Sequence, residues 1–64
     1  MKLEIHYTNR NGMEIVDNVI TYWKTKTHIH VRKIVADELV ETQYSLKHIL
    51  LVFEVSKEGK RLFI

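Results

Sequence analysis

Only two glycines punctuate this chain, Gly12 and Gly59, and proline is absent. Each glycine falls between runs rich in strand-forming residues, so each marks a hairpin, and the two hairpins bracket the sequence. The first run, "KLEIHYT" over 2–8, places Leu3, Ile5 and Tyr7 on one side of a strand and Lys2, Glu4, His6 and Thr8 on the other. "MEIV" resumes after Gly12, and Asn9-Arg10-Asn11-Gly12 reads as a type I turn closed by a glycine at positive φ. Toward the C-terminus "ILLVFEVS", Ile49 to Ser56, is β-branched and aromatic, and "RLFI" follows across Lys57-Glu58-Gly59-Lys60.

The region between the hairpins is patterned less strictly. Ile29 and Val31 alternate with His28, His30 and Arg32, and Thr25 and Thr27 extend the β-propensity upstream, so a strand is expected through this stretch. A helix competes from Val31 onward, because Val31, Ile34, Val35 and Leu39 share a helical face and "ADELVE" contains good helix formers. A hairpin turning at Asp37-Glu38 accounts for more residues. It sets Val31 opposite Tyr44 and Ile29 opposite Leu46 on the apolar side, with Arg32 facing Gln43 and His30 facing Ser45 outside. "SLKH", 45–48, then forms one 3₁₀ or α turn capped by Ser45. The sum is a mainly β fold, a small rolled sheet or SH3-like barrel of five to six antiparallel strands with one short helical turn near 45–48. An α+β fold with a helix near 31–44 is the alternative.

With 64 residues and no cysteine, the chain has room for one domain, 1–64, and no disulfide or thiolate zinc site to staple it. Its stability must come from the apolar 45% of its residues. The missing cysteines point to a cytoplasmic protein, and Glu4 and His6 interrupt any signal-peptide core in "MKLEIHYTNR". No apolar run is long enough to span a membrane. "ILLVFEV" is apolar on both faces, at Leu50 and Val52 and also at Ile49, Leu51 and Phe53, which calls for a central place in a rolled sheet or a subunit interface. "RLFI" ends on an apolar edge that pairs either with the first strand or with a second copy. A homodimer through strand 49–56 or through edge 61–64 is therefore among the expected partnerships.

"MKLEIHYTN" opening a hairpin, then "DNVITYW", an alternating "THIHV" and a final "YSLKHILLVFEV" together resemble very short uncharacterised proteins encoded by phages and prophages of Gram-positive bacteria. The residues that carry the resemblance are Asn18, Val19 and Tyr22, then Leu46 and Ile49. It covers most of the chain and implies a genomic setting rather than an activity, since these are structural positions. The "SLKH" turn before an apolar strand is also similar to the end of SH3-like and Sm-like small barrels, at the level of fold alone.

The net charge of +2 is too small to imply a polyanionic partner by itself, but its distribution is uneven. Between Asp17 and Asp37 every charged residue is basic: Lys24, Lys26, Arg32 and Lys33. If Ile29 and Val31 point inward, Lys24, Lys26, His28, His30 and Arg32 form an acid-free row on the outer face of one strand, with Tyr22 or Trp23 beside it to stack on a base. By parity Trp23 itself falls to the core. The candidate binding residues are therefore Tyr22, Lys24, Lys26, His28, His30 and Arg32. Two functions compete: a non-enzymatic interaction module for an unidentified macromolecule and, as the alternative, a nucleic-acid binder using this face. His28 and His30 supply only two metal ligands, with His6 and His48 distant in sequence, so no metal or cofactor is implied. No nucleophile elbow, phosphate loop or catalytic triad is recognisable. Asp17, Asp37, Glu38 and Glu41 sit in or near expected turns, where carboxylates cap or solvate.

Overall fold

The computed structural model describes residues 1–9 and 12–64. Among these the chain forms β1 (Lys2–Tyr7), β2 (Met13–Val16), β3 (Val19–Lys24), β4 (His28–Val35), β5 (Glu38–Ser45), a 3₁₀ turn (Leu46–His48), β6 (Ile49–Val55) and β7 (Arg61–Phe63). They build two antiparallel sheets, ordered β2-β1-β6-β7 and β3-β4-β5. Only Asp17 and Asn18 separate β2 from β3, and Asn18 takes a left-handed backbone, φ 58°, which an asparagine tolerates better than most residues. The chain bends there from one sheet into the other. Antiparallel pairing of β6 with β1 returns it to its start and closes the roll. The N-terminal ammonium donates to the Val19 carbonyl at 3.0 Å and the Val19 N–H to the Met1 carbonyl at 2.9 Å, fastening β3 to the head of β1.

The two sheets enclose one cluster: Leu3, Ile5, Val16, Val19, Ile29, Val31 and Val52. Tyr7, Tyr22, Tyr44, Leu46, Ile49 and Ile64 pack around it. Leu3, Ile5, Ile29 and Val31 are fully enclosed, and each such side chain contributes about 1.5–3 kcal/mol by leaving water. The expected alternation in "KLEIHYT" and "HIHVR" is thus realised, with odd-numbered apolar residues inward.

Several expectations need correction. Residues 31–44 hold no helix; they are β4 and β5. Val31, Ile34, Val35, Val40 and Thr42 are β-branched, lose rotamer freedom in a helix and suit a pleated surface. The hairpin between them turns one residue earlier than expected, with Val35 opposite Glu38 and Ala36-Asp37 at the tip. Ile29 therefore faces Tyr44, Val31 faces Thr42, His30 faces Gln43 and Arg32 faces Glu41. The slip relative to expectation is two residues, an even number, so every side chain keeps its face. β7 pairs with β6, not with β1. The roll has seven strands among the described residues rather than five to six, partly because the stretch read as one strand through Thr25 and Thr27 bends into a hairpin.

Other features follow the sequence directly. The Ser45 hydroxyl accepts the Lys47 N–H at 3.3 Å and caps the 3₁₀ turn. Gly12 and Gly59 both have positive φ, 54° and 82°. Arg10 and Asn11 of the first expected turn lie outside the described residues. No helix among the described residues is long and apolar enough to cross a membrane.

Candidate functional site

The candidate site is the outer face of β3-β4-β5, and it forms because β4 alternates. With Ile29 and Val31 in the core, His28, His30 and Arg32 project from the other side of the same strand. Cross-strand pairing then brings Trp23 of β3 opposite His30. The indole and imidazole rings stack in parallel, centroids 5.0 Å apart and 2° between planes. The Arg32 guanidinium lies over the same indole at 4.9 Å, and His28 is 6.2 Å from His30. Such cation–π and stacking contacts each contribute on the order of 0.5–1.5 kcal/mol and fix the orientation of long side chains.

Trp23 is thus not a core residue. It lies on the solvent face, 36% exposed. Its inferred inward direction came from reading 23–33 as one strand, and the hairpin at Thr25–Thr27 reverses that parity. The turn contains neither glycine nor proline; Thr25 closes it instead. Its N–H donates to the His28 carbonyl at 2.9 Å, and its hydroxyl accepts the N–H groups of His28 at 3.1 Å and Thr27 at 3.4 Å. Turn-forming threonine hydroxyls are the signal that could have located the bend.

The candidate residues consequently divide. His28, His30 and Arg32 come together on the outer face. Tyr22 is withdrawn from it: it pairs with Val31, packs against the core, and donates its hydroxyl to Glu54 Oε1 at 2.7 Å. That bond to Glu54, followed by burial, raises its phenol above the ordinary value. Lys24 shares the side of Tyr22 and is exposed opposite Ile29 at the end of the hairpin, and Lys26 is exposed in the turn. The two lysines flank the hairpin tip rather than extending the row.

The face is not free of acid either. Glu41, expected near a turn, lies in the middle of β5, and its Oε1 accepts Arg32 Nε at 3.4 Å. Its Oε2 lies 3.5 Å from His30 Nδ1, within ion-pair range but without hydrogen-bond geometry. Burial pushes this carboxyl up, but Arg32 and His30 outweigh it and hold Glu41 below the usual carboxylate range. An anion from the neighbouring strand therefore offsets part of the cationic charge. This was invisible along a single strand, because only pairing register brings Glu41 beside Arg32. Among the described residues no three histidine, aspartate or glutamate side chains converge as metal ligands.

A concavity of about 520 Å³ lies at the closure seam between Met1, Lys2, Asp17, Asn18, the stretch from Glu54 to Lys57, and Gly59. Lys2 pairs with Asp17 there at 3.8 Å and Glu54 accepts the Tyr22 hydroxyl, while Lys57 contributes a further cation to the lining. The chain matches no family model, no curated protein and no solved structure.

Proposed function

We propose that the protein is a non-enzymatic binding module that receives a macromolecular partner on the outer face of β3-β4-β5. The observation that carries this reading is the Trp23–His30–Arg32 stack, an ordered aromatic and cationic cluster that faces solvent and contributes nothing to the enclosed core. Tryptophan and arginine held in place before contact lose little entropy on binding, and they recur as the anchors of interfaces. The carboxylates argue against acid–base chemistry here, since Glu4, Glu14, Glu41 and Glu54 are each committed to a tyrosine, histidine or arginine. The resemblance to phage and prophage proteins supports a phage or prophage origin, and the lack of cysteine supports a cytoplasmic setting.

A nucleic acid is the second reading, favoured by Lys24 and Lys26 at the hairpin tip next to His28. Trp23 replaces Tyr22 as the stacking residue in that reading, and Glu41 limits how many phosphates the face can take.

Trp23 is the protein's single tryptophan, so its fluorescence reports on this face directly. Titration with single-stranded oligonucleotides and with acidic peptides should change the emission, and Arg32→Ala should weaken the response about tenfold. For a nucleic acid, affinity falls steeply with added salt, and the triple variant Lys24→Glu, Lys26→Glu, Arg32→Glu abolishes binding. Binding that survives the triple variant without moving Trp23 emission places the partner elsewhere and refutes the reading.

A further inference from the structure

Strand β6 is apolar on both faces, and only one of them meets the core. Val52 is buried, whereas Leu51, Phe53 and Val55 point onto the outer surface of the four-stranded sheet. The register fills that surface from its neighbours. Met13 and Ile15 of β2 flank His6 and Glu4 of β1, these flank Leu51 and Phe53, and Phe53 flanks Phe63 of β7 at a ring distance of 4.7 Å. Met13, Ile15 and Phe63 are 51%, 43% and 66% exposed. Apolar side chains thus flank the Glu4–His6 pair on both sides, and an exposed apolar surface of this extent on a small domain marks an interface.

The centre of the patch is polar, and its state decides whether it can be covered. Glu4 is only 6% exposed, and it accepts His6 Nε2 at 2.6 Å and Arg61 Nε at 3.2 Å. Both carboxylate oxygens are occupied and the group has already left water, so covering Glu4 leaves no unpaired charge at the centre of the face.

We propose that this face is the interface of a homodimer, two copies packing sheet against sheet about a twofold axis parallel to the strands. The charges at the rim select both the occupant and the axis. The row at one end of the face runs from Asp17, past Lys2 and Val55, to Arg61. A twofold along the strands lays β7 on the partner's β2, so Arg61 meets the partner's Asp17 and Phe63 meets the partner's Ile15. Both side chains are exposed, at 60% and 58%, and already hold intrachain partners, Arg61 through Nε to Glu4 and Asp17 at 3.8 Å from Lys2, so the contact across the axis extends these pairs into a network. A twofold across the strands opposes no such charges. Four strands about 4.8 Å apart and three side-chain rows give a footprint of roughly 20 by 20 Å, and with side-chain relief about 1,000 Å² in total, the lower bound for a specific interface. An interface at this lower bound belongs with the weak, reversible ones, so association has to be followed over a wide concentration range.

Sedimentation equilibrium of the full chain from about 1 to about 500 µM tests this. The expected result is a monomer–dimer equilibrium weakened at least about tenfold by Ile15→Lys and by Phe63→Glu, with circular dichroism unchanged. Because these positions meet across the axis, a mixture of the two variants should associate more tightly than either alone. Leu62→Lys, on the opposite side of β7, should leave association intact. A folded wild-type chain that stays monomeric throughout overturns the proposal, and so does an association lost in Leu62→Lys but retained in Ile15→Lys, which would place the contact on the β7 edge.

Discussion

Ala36 holds a left-handed backbone, φ 50°, next to Asp37 at φ 63°, and together they form the two-residue tip between Val35 and Glu38. Two consecutive positive φ values in a two-residue hairpin define a type I′ turn, whose twist matches the flanking strands. Alanine has neither the freedom of glycine nor the local hydrogen bonding of asparagine to offset this conformation, which costs an ordinary L-residue about 1–2 kcal/mol. Replacing Ala36 by Asn and Asp37 by Gly should raise stability by about 1 kcal/mol, read as a higher urea midpoint with an unchanged slope. That the sequence placed this turn at Asp37-Glu38 follows from the same fact: Asp37 suits a turn but Ala36 does not announce positive φ, so the turn's position was set by which register buries Val31 and Ile29. Glu41 was illegible for a related reason. Its neighbours in sequence say only that it lies on β5, and its chemistry comes from Arg32 across the ladder.

At the scale of elements, the β3–β4 hairpin decides which side chains make the candidate site. Thr25 and Thr27 have strong strand propensity, and read locally they prolong β4; the structure instead uses the Thr25 hydroxyl to turn the chain. Thr25→Val keeps the propensity and removes the acceptor. It should cost about 1 kcal/mol and loosen the hairpin, seen as a red shift of Trp23 emission as the indole leaves His30. Strand β1, by contrast, was legible from its period of two, and β6 from its run of β-branched and aromatic residues, although that run is apolar on both faces. The outer apolar row of β6 was readable as well, though not the identity of its neighbours Met13, Ile15 and Phe63.

For the whole molecule, the two sheets are joined by tyrosine–carboxylate contacts. Tyr22 of β3 reaches Glu54 of β6, and Tyr7 of β1 donates to Glu14 of β2 at 2.6 Å beside Tyr44 of β5. Burial first, and then Glu14, pushes the Tyr7 and Tyr44 phenols up; for Tyr22 the Glu54 bond leads. All three tyrosines of the chain are therefore raised above 10.0, their ordinary value. A group whose folded pKa is raised stabilises the fold fully below its unfolded value and loses that contribution as pH climbs past it. The expected outcome is an alkaline titration in which tyrosinate absorbance does not rise near pH 10.0 but appears together with loss of the β-sheet circular dichroism signal. Early ionisation of a tyrosine in a folded protein would contradict these contacts. The sequence by itself determined the class of fold, the strands that alternate, the Ser45-capped turn and the pairing of cationic residues with a buried strand, since each rests on local period and propensity. Tertiary structure alone decided that Trp23 faces outward, that Tyr22 is withdrawn, that Glu41 tempers Arg32, and that Glu4 is buried between His6 and Arg61. These are matters of register between strands distant in the chain, and a side chain's charge and exposure depend on its cross-strand neighbours, which no local pattern records.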